Sequence, residues 1–435
     1  MNVAFISFVE PTSRDNGKKI VLDGLLNFFI DQPDIQVTYF LLSSQKITPP
    51  HRSGVSWCVL PFKRSFKQVL SAFWRSLVCR KVPLQQAMLY DNGLKTKLCQ
   101  SVLDSQPDVI IYDTIRVRQF FNTPKSTFPH ARHIVFFDDL FAVRYQKMLQ
   151  AMKRYPGTNF TPLGNFAHNI PAWCQPVVNA KWMSRLLLRH EIKTLATVEV
   201  KASEDMDLGL LMSCQEMDVL CKQGVHAPLS PLPVYFPHTP TQAMTRCYNG
   251  KPVFVFLGDL RLAHNAFSLQ HFIEHHLAQC LAQLPDMQLH IIGKHPSPAL
   301  QASASRYAPH VHFLGFVEDL HVPLSQCAAM LIPLLFGSGV KIKTLEAMRF
   351  GVPMISTGFG VEGIMHAEQS GVIIEDDLSA FAQHMHALTD GQVNARASEQ
   401  IQTFYDQYYH PDRVAARYPQ YFLPAADKAE SSVVQ

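Results

Sequence analysis

Two lysines and a glutamate, Lys341, Lys343 and Glu346, follow directly on a turn made of Gly337, Ser338 and Gly339. An apolar run at residues 330–335 reads as a buried strand, and residues 341–350 carry helix-forming side chains that stop at Gly351, Val352 and Pro353. The glycines let backbone approach a ligand closely. The unpaired N–H groups and partial positive charge of the helix start then converge with the two ammonium groups where a diphosphate would sit. Glu346, three positions after Lys343, falls on nearly the same helical face. A carboxylate there does not suit phosphate; it suits two neighbouring hydroxyls, such as those of a ribose. Each feature alone also fits a surface helix with an ordinary ion pair. Their combination, with a second strand leading into the glycine-rich residues 357–363, favours the ligand.

The first half offers acidic groups after apolar strands. Asp113 ends IIYD and the pair Asp138 and Asp139 ends HIVFFDD. Asp113 and Asp139 are candidates to take a proton from a substrate hydroxyl, or to cap the helix that follows. Asn16, Gly17 and Lys18 close the loop after the first strand, where Gly17 either contacts phosphate through its backbone or simply starts a helix.

These groups need elements to hold them. Short apolar runs alternate with helix-period segments, the pattern of parallel sheets covered by helices on both faces. In the first half the strands fall at 3–8, 37–42, 109–112 and 133–137. The stretch 226–251 shifts to proline and polar residues and reads as a connector. The expected division is a first domain over 1–230, a connector over 231–250, a second Rossmann-like domain over 251–395, helices over 396–424, and a frayed tail over 425–435. With 435 residues, 47% of them hydrophobic, the chain can bury two cores.

The run GSGVKIKTLEAMRFGVPMISTGFGVEGI resembles the donor-site signature of group 1, family 4-like, glycosyltransferases of the GT-B fold. The likeness continues upstream in the family's order. VFVFLGDLRLAHNAF is similar to the strand, glycine loop and helix start that open the family's second domain, with His264 and Asn265 where proline and asparagine are usual. LHIIGK and VHFLGFVEDL resemble the next two units. The resemblance covers residues 251–388 and is loose before them. It implies an α/β fold of two Rossmann-like doubly wound domains facing across a cleft, and C-terminal helices that cross back to the first domain.

It also implies roles. Glu346 would hold the nucleotide ribose, Lys341 and Lys343 the diphosphate, and the loops at Gly293 and at Gly315 and Phe316 the base. Gly258, Asn265, Gly337, Ser338 and Gly339 would complete the donor site, and Gly17 would reach it from the first domain. The implied activity is transfer of a sugar from a nucleotide-diphosphate sugar to a saccharide or lipid-linked saccharide, with retention, without metal or other cofactor. The departing phosphate would itself take the acceptor proton. One departure stands out: Ser338 occupies the place where many members carry a glutamate that contacts the donor sugar. Losing one such contact costs about 2–4 kcal/mol of transition-state stabilisation, short of abolishing turnover. A non-catalytic nucleotide-sugar-binding or assembly protein is therefore the alternative.

Charge is uneven in the first half. Residues 35–90 contain no Asp or Glu but do contain Lys46, Arg52, Lys63, Arg64, Lys67, Arg75, Arg80 and Lys81. Phe62, Phe66, Val69, Leu70, Phe73, Trp74, Leu77 and Val78 recur among them at helical spacing. The stretch 62–81 thus reads either as a helix packed on its own sheet or as a peripheral contact with an anionic membrane; residues 181–189 (KWMSRLLLR) pose the same choice.

Two motifs read as coincidences. Gly358, Gly360 and Gly363 match the dinucleotide pattern G-x-G-x-x-G, which leaves a NAD-type oxidoreductase as a third reading, but the acidic residues 375–377 follow too soon to be its ribose partner. His271, Glu274 and His275 match the zinc pattern H-x-x-E-H, on a helix that the resemblance places elsewhere. A net charge of +4 is too mild to imply nucleic acid. Nine scattered cysteines without a CxxC pair fit reduced thiols and a cytoplasmic setting, with membrane association on the inner face. The N-terminus reads as a strand and loop rather than a signal peptide, and no apolar run reaches about 18 residues.

Overall fold

Runs of Val, Ile, Leu and Phe too short for helices form the strands, and polar, helix-period segments between them cover the sheets. The computed structural model describes every residue except 13–15, 45–47, 49, 63–67, 69–70, 73, 79–81, 157, 159, 161–179, 238–245 and 424–435. The chain divides into two units: Met1–Leu149 with Asn159–Pro237 and Pro411–Gln435, and Gln150–Thr158 with His238–His410.

The first unit alternates β1 (Asn2–Ser7), α1 (Gly17–Ile30), β2 (Gln36–Ser43), β3 (Val55–Pro61), α2 (Asn92–Asp104), β4 (Val109–Asp113), β5 (Arg132–Asp138), α3 (Phe141–Arg154, which from Gln150 on is counted with the second unit), α4 (Lys181–Ser203), β6 (Leu208–Leu211), α5 (Cys214–Lys222) and β7 (Leu229–Pro231). Its strands lie in the order β3-β2-β1-β4-β5-β6-β7, every pairing parallel. Val3, Ala4, Phe5 and Ile6 are buried on both faces, as a central parallel strand requires.

The second unit follows the same plan: β8 (Val253–Leu257), α6 (Ala263–His275), β9 (Gln288–Ile292), β10 (Val311–Gly315), β11 (Ala329–Ile332), α7 (Ile342–Arg349), β12 (Met354–Ser356), β13 (Ile373–Ile374) and α8 (Gly391–Tyr408), with the strand order β10-β9-β8-β11-β12-β13. Its core packs Phe254, Phe256 and Ile291 against Leu269, Phe272 and Phe381. In both sheets the order reverses beside the first strand, between β1 and β4 and between β8 and β11. Ligands in such folds bind at the strand carboxyl ends beside that reversal.

Three strands lack the signals that mark the others. β3 is an edge strand of mostly half-buried residues, β6 has four residues including Gly209, and β7 ends in proline. β7 also corrects the reading of 226–251 as connector, since its first part pairs with β6. Proline is tolerated there because the strand is at an edge. The two C-terminal helices part company. On α8, Ser398 donates to the Gly351 carbonyl at 2.6 Å and Asn394 to that of Ala328 at 2.7 Å, within the second unit. Only α9 (Pro411–Phe422) belongs to the first unit, where the Tyr418 hydroxyl donates to the Pro233 carbonyl at 2.7 Å and its ring meets Phe28. Of the stretch 62–81, Trp74–Val78 forms a π-helical turn, and much of the rest lies outside the described residues.

Candidate functional site

Lys343 is the second residue of α7 and only partly exposed. Its ammonium donates to Asn265 Oδ1 at 2.7 Å and lies 4.5 Å from the centre of the Phe256 ring. Among the described residues no carboxylate pairs with it. Burial, and then the charge of Lys341, push its pKa down to about 7. Lys341 is the N-cap residue of α7, buried, with extended backbone and no side-chain cap on the helix. Its ammonium donates to the carbonyls of Ser338 at 2.9 Å and Gly339 at 2.7 Å. Gly337 and Gly339 have φ of 148° and 67°, in the region that favours glycine. Two ammonium groups therefore share one helix start, and Glu346 lies one turn further along α7.

Asn265 is aimed by its surroundings. It is 3% exposed, and its Nδ2 donates to the Asp259 carbonyl at 3.0 Å, which leaves Oδ1 for Lys343. Gly258 makes room: a Cβ there would lie 2.7 Å from Asn265 Nδ2. A Cβ at Gly293 would fall 1.9 Å from the carbonyl oxygen of Gly258. The row continues sideways, with Gly258 N–H donating to Ile292 at 2.9 Å and Gly293 N–H to Gly315 at 2.8 Å. The carboxyl ends of β8, β9 and β10 thus present bare backbone. Next to them Phe316 is 49% exposed, with the Lys294 ammonium 4.0 Å from its ring centre. The cationic pair, the bare backbone edge and a flat aromatic face can accept an anion carrying a planar heterocycle.

The first unit brings Asp113 and Lys18 together across 95 positions. Lys18 Nζ donates to Asp113 Oδ1 at 2.6 Å and lies 3.4 Å from Asp138, while the Ser7 hydroxyl donates to the other Asp113 oxygen at 2.5 Å. Burial lowers the Lys18 pKa, but Asp113 and then Asp138 outweigh it, so the net shift is upward. Asp138 is pushed up to about 6 by burial, against the pull of Lys18, with Asp139 and Asp113 adding to the rise. Asp139 turns elsewhere, taking Arg144 Nε at 2.7 Å and Nη2 at 2.5 Å on one oxygen. Of the two acidic candidates, Asp113 therefore lies at the strand reversal and Asp139 in an ion pair. Gly17 is the first residue of α1, whose N-terminus Asn16 caps by accepting from Lys19 N–H at 3.1 Å.

The two coincidental motifs resolve. Gly358–Gly360 forms a short 3-10 turn, and Gly358 N–H donates to Asp376 at 2.8 Å; no helix opens from this glycine run. Glu274 takes Gln270 at 2.9 Å and Ser303 at 2.5 Å, and among the described residues no group of three or more His, Cys, Asp or Glu could hold a metal. The sequence did not single out Phe256 beside Lys343, Ser7 beside Asp113, or the contact of Lys294 with Phe316. Pairings between separate strand ends leave no local signal.

Residues 251–390, one continuous stretch that holds every one of these second-unit groups, match the family model described as glycosyl transferases group 1. Over this stretch the chain is similar to the group 1 glycosyl transferases. A 139-residue stretch is also 30% identical to an uncharacterized 44.6 kDa protein in the cps region of Klebsiella pneumoniae, covering 30% of this chain and 35% of that one, so it spans about a third of that relative. The likeness of fold to solved GT-B structures extends over 97% of the chain. Sucrose-phosphate synthase from Thermosynechococcus elongatus overlays with a TM-score of 0.65 at 14% identity, covering 97% of this chain and 98% of that one. HepE from Anabaena, in complex with UDP and glucose, gives 0.61 at 12%, covering 97% and 99%. Within the matched stretch, Lys341 and Lys343 fall at the α7 start and Glu346 one turn along it.

Proposed function

We propose that the protein transfers a sugar from a nucleotide-diphosphate sugar to a saccharide or lipid-linked saccharide acceptor. The observation that carries this is Lys343: a largely buried ammonium, next to a second one, with an amide oxygen and a ring face as its partners. Such a group is costly in the free protein, and an arriving diphosphate restores its charge and supplies its missing counterion. Lys341 adds charge at the same helix start, and Glu346 is spaced to hold the ribose hydroxyls. Gly258, Gly293 and Gly315 let the donor approach backbone, and Phe316 offers a face for the base. Gly337, Ser338 and Gly339 form the loop under the diphosphate.

Catalysis rests on stabilising the leaving diphosphate, and two lysines with a helix N-terminus supply that charge without a metal. Retention follows from the resemblance, with the departing phosphate taking the acceptor proton. In the first unit, Asp113 at the strand reversal serves the acceptor side with Lys18 as its counterion, while Gly17 at the start of α1 keeps the donor-side role that the resemblance implies. Asp139, tied to Arg144, positions the neighbouring loop. HepE was solved with UDP and glucose, which supports a uridine nucleotide as the first donor to try. Assaying release of nucleoside diphosphate from a panel of nucleotide sugars tests the proposal. Lys343→Ala and Glu346→Ala should each cut turnover at least tenfold while the melting profile of the free protein persists; unchanged turnover in both overturns the assignment.

A further inference from the structure

Helix α4 turns toward solvent a side that carries no carboxylate. Its two acidic residues, Glu191 and Glu199, are each 1% exposed; they accept the backbone N–H of Leu84 at 2.6 Å and of Ala142 at 3.2 Å, capping other helices from inside the unit. Trp182, Leu186, Arg189 and Lys193 remain outside, exposed at intervals of four, three and four. That spacing makes a single stripe along the helix. Trp182 is 62% and Leu186 52% exposed. Ser76 Oγ, 3.0 Å from His190 Nε2, ties α4 to the π-helical turn, on which Trp74 is 63% exposed beside exposed Arg75. That turn lies within the 35–90 stretch that has no Asp or Glu.

We infer that this face of the first unit docks on an anionic lipid surface. Tryptophan combines an apolar body with an N–H donor and favours the membrane–water interface. Leu186 enters the acyl boundary, and the cations meet anionic headgroups, a combination that one helix side provides only when acidic residues are kept out of it. A second copy of the chain fits poorly, because a self-complementary contact would set Arg189 and Lys193 against the same charges. A polyanion such as nucleic acid would use the cations and leave Leu186 without an apolar partner. The docking face centres on α4, whereas the sequence pattern drew attention first to 62–81. This inference stands apart from the donor reading and gives a lipid-linked acceptor a reason to be within reach.

Co-sedimentation of the full chain with phosphatidylcholine vesicles, with and without about a third phosphatidylglycerol, tests it. Binding to the anionic vesicles, weakened by salt, is expected, with little to neutral ones. Trp182→Ala with Leu186→Ala, and separately Arg189→Glu with Lys193→Glu, should lower vesicle affinity at least tenfold, because each basic residue near the surface contributes about 1 kcal/mol, roughly fivefold. Leu103→Ala, at another exposed leucine of the first unit, should leave binding unchanged. Vesicle binding that is absent, or equal in the α4 variants and wild type, overturns the inference. So does a concentration-dependent dimer that the α4 variants dissolve. Nucleotide-induced thermal stabilisation, read on the same variants, should persist, so loss of docking and loss of donor binding are told apart.

Discussion

Asn265 and Lys343, 78 positions apart, meet with the amide oxygen 2.7 Å from the ammonium. The glycine at 258 and the carbonyl of Asp259 fix which end of the amide faces the lysine. The contact holds the ammonium in place but gives it no counterion. Lys343→Met, which keeps the stem and removes the charge, should therefore leave the ligand-free melting temperature at pH 7 unchanged or higher. Calorimetric melting checks this; a drop of several degrees would assign Lys343 a structural ion pair instead.

Donor binding should depend on pH in a set direction. Lys343 is near 7 in the free protein, so above that pH it is increasingly neutral. A bound diphosphate favours the charged form and raises the pKa, so binding takes up a proton there. Affinity for a nucleotide sugar, whose diphosphate diester does not titrate near neutrality, should fall up to tenfold per pH unit between about 7.5 and 9. Titration calorimetry in buffers of different ionisation enthalpy should show uptake approaching one proton at pH 8 and little at pH 6. Equal uptake at both refutes the linkage.

The glycine row separates fold from site. Gly293→Ala drives a methyl into the Gly258 carbonyl, so backbone must move, and destabilisation of about 1–3 kcal/mol is expected. Gly258→Ala meets a side chain instead, Asn265, and should weaken donor binding by displacing it. Adding Asn265→Ala should recover the stability lost to Gly258→Ala without recovering affinity. Urea unfolding and nucleotide titration on the same proteins tell the two effects apart.

Asp138 gives the first unit a pH signature. Its folded pKa, about 6, lies above the ordinary 3.8, so the folded state holds a proton that the unfolded state has released in the window between them. Stability from this group is present at low pH and lost as pH rises through 6. Asp138→Asn should therefore stabilise by about 1–3 kcal/mol at pH 7–8, with the gain vanishing toward pH 4. Equal gains at both pH values would show that the carboxylate is not strained by its neighbours.

The parts of the fold that were legible are those with local chemistry. Val109, Ile110, Ile111 and Tyr112 read as a strand because nothing in the run permits a half-exposed helix, and Gly351 with Pro353 marked the end of α7. Lys341, Lys343 and Glu346 stood out because three ligand-suited groups share one helix start. The illegible parts depend on remote partners. β7 hides behind its proline and is held by pairing with β6. Lys18 is an unremarkable lysine until Asp113 and Asp138 arrive from two other strands. Nothing local marks Glu191 and Glu199 as buried caps of distant helices; their burial is what leaves the outer side of α4 without a carboxylate.

The ammonium pair at the α7 start is proposed to grip the diphosphate of an activated sugar. Thermal-shift titration with uridine, guanosine and adenosine diphosphate sugars, alongside NAD and NADP, tests it most directly. At least one nucleotide sugar should stabilise the wild type by about 2.7 kcal/mol at a hundredfold excess over Kd, and Lys343→Met should lower that affinity by roughly 10- to 100-fold. Stabilisation by none of the nucleotide sugars, or by one of them to the same extent in Lys343→Met, would contradict it.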